Sequence, residues 1–172
     1  FEVTENDRRI YEEELRDFLP EKMIDAHCHV WLDRLVDRKP VPPEEKRTVS
    51  WPDLVAKDDP IEDLIETYRL LFPGKEVTPL MFSNHGGSAA NNAYTAECSA
   101  KTGYPALYFS HPWESPDFVE ESIRKGHFLG VKSYLDLAPD YIPEREIRIF
   151  DFFPKAQLER LNEMGAIVVC HI

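Results

Sequence analysis

Met23-Ile24-Asp25-Ala26-His27-Cys28-His29-Val30 decides how the rest of the chain reads. It is a short strand candidate that opens after Pro20 has stopped the segment before it. Period-two alternation places His27 and His29 on one side, with Asp25 sharing it, and turns Ala26, Cys28 and Val30 to the other. Two imidazoles on one side of a strand end make a natural pair of metal ligands.

Outward from this strand, helical periodicity and strand-sized apolar runs alternate. The N-terminal segment 1–20 predicts a helix over residues 4–18, where Thr4 can cap and Asp7 follows three positions on. Residues 31–60 lack periodicity and hold five prolines and two tryptophans, Trp31 and Trp51, which predicts a long folded loop. A helix is expected over 61–72, with Ile61, Leu64, Ile65, Tyr68, Leu71 and Phe72 on one face. Strands follow at 77–83, 106–110, 128–135 and 166–172, and helices at 88–101, 115–125 and 155–164. Ser115 should cap the second of these helices, and Gly126 should stop it.

Such alternation implies parallel strands with helical crossovers, hence an α/β fold. Either an open doubly wound sheet or part of a (β/α)8 TIM barrel satisfies it. The strands recur about every 35 residues, so eight units would need about 280 residues, within the usual range for barrels. On the barrel reading about five βα units are present and about three lie beyond Ile172, so residues 1–172 read as the N-terminal part of one domain. No Gly-x-Gly-x-x-Gly follows any strand, which disfavours a dinucleotide-binding sheet.

Composition narrows the function classes. The 172 residues carry a net charge of −12, which argues against a nucleic-acid partner, because phosphate binding needs clustered Lys and Arg. No apolar run approaches the roughly 18 residues of a membrane span. Three widely spaced cysteines, Cys28, Cys98 and Cys170, fit a reducing compartment, so a cytoplasmic protein is expected. A small-molecule substrate is the expected partner, and a homo-oligomer is compatible with all of this.

The candidate chemistry collects at the carboxyl ends of the strands, where both architectures place active sites. His27 and His29 end the first strand, Lys132 lies on the fourth, sharing a side with Tyr134, and His171 ends the fifth. A lysine inside an apolar strand is costly to bury unless something pairs with it or modifies it. Trp31, Asn84, His111 and Tyr134 stand near neighbouring strand ends as substrate contacts, while His85 has the weaker claim of a loop residue. Each feature alone has an ordinary explanation: a His-x-His pair is usually structural, a terminal histidine is usually a polar strand end, and a lysine can snorkel to water. Their co-occurrence is what raises the reading.

Met-Ile-Asp-Ala-His-Cys-His-Val-Trp resembles the first-strand motif of the amidohydrolase superfamily, in particular its amidohydrolase-2 branch. His127-Phe-Leu-Gly-Val-Lys-Ser-Tyr and Val-Val-Cys-His-Ile are similar to the fourth and fifth strands of that branch, and the resemblance spans residues 22–172. It implies a metal-dependent hydrolase on a TIM barrel, with His27, His29 and His171 as metal ligands and zinc, or else manganese, as the divalent ion. It also implies a catalytic role for Lys132, as a carboxylated bridge between two metals or as a plain cation contacting an acidic substrate. The sixth-strand histidine and eighth-strand aspartate of the family pattern have no counterpart within this sequence. The activity implied is water activation to cleave an amide, ester or lactone. A decarboxylase on the same scaffold and a non-catalytic metal-binding homologue are the rival readings. The 31–60 loop leaves the first strand at its active-site end and is expected to fold over the metal as part of the substrate pocket.

Overall fold

The computed structural model describes residues 2–36, 56–84 and 88–171. Trp51, most of the 31–60 loop and His85 therefore lie outside the described residues. Five parallel strands carry the fold: β1 (Lys22–His29), β2 (Glu76–Phe82), β3 (Tyr108–Phe109), β4 (Gly130–Tyr134) and β5 (Ile167–His171). They form a two-stranded sheet, β1-β2, and a three-stranded sheet, β3-β4-β5. A parallel bridge between Met81 and Ala106 joins the two, through Met81 N–H to the Pro105 carbonyl at 2.9 Å and Leu107 N–H to the Met81 carbonyl at 2.8 Å. The strands thus stand side by side in chain order, without the reversal that marks a doubly wound sheet. Among the described residues they do not close into a barrel.

Side chains on the two faces meet different partners. Outward residues Cys28, Met81, Ala106, Tyr108 and Val131 belong to the larger core, together with Ile61 and Leu64 of α2 (Ile61–Leu71) and Cys98 of α3 (Ala89–Thr102). Val119 and Ile123 of α4 (Pro116–Gly126), Phe152 of α5 (Ile149–Phe152) and Leu161 of α6 (Lys155–Met164) complete it. The alternate residues Leu80, Phe82 and Leu107 form a second, smaller cluster with Val169 on the opposite face. All the helical members of these clusters lie in the first, so the helices they belong to cover one face of the sheet. No helix among the described residues is long and apolar enough to cross a membrane.

Local chemistry explains the boundaries. Thr4 and Asp7 form a reciprocal capping box on α1 (Glu5–Ile10), satisfying donors that a helix start leaves unpaired. Ser88 and Ser115 cap α3 and α4 by accepting from the backbone N–H of Asn91 and Phe118. β3 is only two residues long, and besides its pairing with β4 it is held by the Asn92 amide, whose Nδ2 donates to the Phe109 carbonyl at 3.0 Å and whose Oδ1 accepts the Phe109 N–H at 2.8 Å. Gly130 is required by packing, since a Cβ there would lie 1.9 Å from the Ile167 carbonyl oxygen.

Several expectations need correction. The helix expected over 4–18 is α-helical only through Ile10 and then widens into a π turn over Tyr11–Leu15. Gly126 stays helical, and His127 takes the left-handed capping position at φ 54°. On α2, Ile65 and Leu71 are exposed and the buried stripe narrows to Ile61 and Leu64. The largest correction concerns β1. Asp25 pairs with Pro79 but Cys28 with Met81, so one extra residue is inserted as a β-bulge. The bulge reverses the alternation, and Asp25 lies on the helix side, away from the histidines.

Candidate metal and substrate site

The site is assembled on the face opposite the helices. His29 pairs with Phe82 across β1 and β2, and the rings of His27 and His29 both sit edge-on to Phe82, at 5.0 and 4.7 Å between centroids. The two imidazoles are 5.3 Å apart. Lys132 Nζ lies over the Phe82 ring, 5.0 Å from its centroid, and 5.0 Å from the centroid of the Tyr134 ring, in cation–π contact with both. Tyr134 stacks on Phe109 at 5.1 Å and on His171 at 4.9 Å. A chain of contacts therefore runs from the β1 histidines to the Phe82 ring, through the Lys132 ammonium to the Tyr134 ring, and on to His171.

The protonation states suit metal binding. His29 Nδ1 lies 3.1 Å from the Ser83 carbonyl oxygen. A carbonyl only accepts, so Nδ1 carries the proton and the Nε2 lone pair is left for a ligand. Burial drives the His29 pKa down to about 4, with the charges of His27, Lys132 and His171 adding to it and the Ser83 contact opposing it. Burial likewise lowers His27, reinforced by Lys132 and His171 and opposed by Asp25. Both rings are neutral near pH 7.

Lys132 is fully buried, and its Nζ has no hydrogen-bond partner among the described residues. Burial lowers its pKa to about 8. The ring contacts on its two sides soften the cost of the ammonium without removing it. Asn84 Oδ1 is likewise buried without a partner among the described residues.

The remaining predicted contacts are placed as follows. Trp31 is buried at the mouth of the 31–60 segment, its Nε1 donating to the Lys57 carbonyl at 2.9 Å and its backbone exchanging two 3.0 Å bonds with Asp59. It pins both ends of that segment, and its ring lies 6.3 Å from His29. His111 sits beyond β3 against Phe109 and Trp113, with Nδ1 3.3 Å from Glu114. Tyr134 is only 2% exposed. Among the described residues no three His, Cys, Asp or Glu side chains already stand together as a metal-ligating group. His27 and His29 are brought together; His171 shares their face of the sheet but is stacked on Tyr134, not grouped with them.

Phe82, Ser83 and Tyr68 shape the site yet carry no motif of their own. The signal for Phe82 was its place in an apolar strand beside the His-x-His strand. Comparisons of the chain with protein-family models, curated proteins and solved structures gave no significant match.

Proposed function

We propose that the protein is a metal-dependent hydrolase of the amidohydrolase superfamily, on a (β/α)8 barrel of which residues 1–172 supply about five βα units. One observation carries this reading. The bulged first strand turns two neutral imidazoles, His27 and His29, onto the face that also holds Lys132, Tyr134 and His171. Parallel strands in chain order, with helices over one face, support the barrel.

The donors fit a divalent metal, zinc first and manganese as the alternative. Imidazole nitrogens with an oriented tautomer suit a borderline ion, and His29 has that orientation from Ser83. His27 and His29 would hold the ion, with His171 as a third ligand. When bound, the metal polarises a carbonyl oxygen and lowers the pKa of water toward neutrality. Lys132, a buried cation with no carboxylate hydrogen-bonded to it among the described residues, stabilises negative charge on the substrate. Asn84, His111 and Trp31 bound the substrate, and Tyr134 fixes the positions of Lys132 and His171 by stacking. The substrate is a small amide, ester or lactone, and the protein works in the cytoplasm.

Lys132 favours a second reading, a decarboxylase on the same scaffold, since an unpaired buried ammonium suits a carboxylated substrate. The test is to strip the purified protein with a chelator, restore it with Zn²⁺ or Mn²⁺, and assay amides, esters and lactones while trapping carbon dioxide. Metal-dependent hydrolysis supports the proposal. Carbon dioxide release without hydrolysis moves the assignment to the lyase, and turnover indifferent to chelation contradicts both.

A further inference from the structure

We propose that Asp25, together with Tyr68, is the clamp of the β1 bulge, and so the positioning residue that delivers His27 and His29 to the metal; this rests on the metal reading above. Through Ile24↔Thr78 and Asp25↔Pro79 the β1-β2 register is regular. Paired residues of neighbouring strands share a face, so Asp25 lies with Pro79 on the helix side. Continued without interruption, that register would pair Ala26 with Leu80, His27 with Met81 and Cys28 with Phe82. His27 would then share the side of Met81, in the helix-side core, and Cys28 would face the site.

The observed pairs are instead Cys28↔Met81 and His29↔Phe82. Ala26 and His27 together stand opposite Leu80. A one-residue slip exchanges the faces of every residue beyond it, and here it returns Cys28 to the core and the histidines to the site.

A bulge leaves ladder groups without their usual partners; two contacts here take up such groups, and a third holds the side chain that makes one of them. Asp25 Oδ1 accepts the His27 backbone N–H at 3.0 Å. Asp25 Oδ2 accepts the Tyr68 hydroxyl at 2.7 Å, tying the bulge to α2. The Leu80 carbonyl, facing the bulge, accepts the Cys28 thiol at 3.4 Å. Among the described residues Asp25 is thus the one side chain that both satisfies the freed N–H and ties the distortion to a helix, through Tyr68 43 residues away. It touches neither metal nor substrate. It acts on both histidines through the backbone.

The experiment is a Co²⁺ titration of the purified protein, followed by the visible absorption of the bound ion, for the wild type and for Asp25→Ala, Asp25→Asn and Tyr68→Phe. Asp25→Ala should weaken Co²⁺ binding by about 10–100-fold and alter the band shape, as loss of an outer-shell support does. Asp25→Asn keeps an oxygen for the His27 N–H and should recover most of the affinity. Tyr68→Phe should lose about fivefold. Should Asp25→Ala fail to fold by circular dichroism, Tyr68→Phe decides. Wild-type affinity and spectrum in Asp25→Ala, or in Tyr68→Phe if that variant alone folds, overturn the inference. A wild-type protein that takes up no Co²⁺ overturns the metal reading itself, and the positioning role falls with it.

Discussion

His29 Nδ1 and the Ser83 carbonyl oxygen are 3.1 Å apart, and this contact links the end of β1 to the residue that follows β2. It fixes the imidazole as the Nδ1–H tautomer and leaves Nε2 facing the site. Because the ring is buried as well, it stays neutral far below the usual histidine range, with a pKa of about 4.

That depression makes stability depend on pH. Between about pH 6.5 and 4 the unfolded chain protonates at His29 while the folded chain does not, so stability falls as pH falls through this window. His29→Gln keeps an amide donor for Ser83 and removes the titration. Urea midpoints at pH 4.5, 5.5 and 7 should show a shallower decline for the variant, and parallel declines would contradict the assignment.

Lys132→Met removes an unpaired buried ammonium while keeping an unbranched stem between Phe82 and Tyr134. The metal-free variant should be more stable than wild type by on the order of 1–3 kcal/mol at neutral pH. The Lys132 pKa is lowered from 10.5 to about 8, so the folded chain releases its proton first and wild-type stability recovers as pH rises from 8 to 10.5. The advantage of Lys132→Met should therefore shrink across that range in denaturant titrations. Turnover should be lost at every pH.

Gly130→Ala should separate β4 from β5, because the added Cβ would collide with the Ile167 carbonyl. A loss of about 1–3 kcal/mol is expected. Faster hydrogen exchange at Ile167, whose N–H bonds the Leu129 carbonyl at 2.9 Å, would confirm it. Unchanged protection there would argue against this packing.

The sequence revealed the strands, the capped helices and the side shared by Lys132 and Tyr134, because each follows from local periodicity or a local cap; the pairing of Tyr134 with His171 comes from the β4-β5 register. It misplaced Asp25. Alternation assumes an unbroken ladder, and nothing in Met23–Val30 marks the extra residue; the Tyr68 hydroxyl that meets Asp25 beside the bulge comes from α2, 43 residues further along the chain. The bonds from the Asn92 amide to Phe109 were hidden for the same reason, since they join residues 17 apart in the chain. The cap at His127 was missed because Gly126 beside it is the commoner left-handed residue.

The central claim, that β1 presents a histidine pair to a metal, is tested most directly by elemental analysis of the purified protein and its His27→Ala/His29→Ala double variant after equal exposure to Zn²⁺. One or two zinc ions per chain are expected in the wild type and no stoichiometric zinc in the variant; equal zinc content in the two proteins would rule out the histidine pair as the metal site.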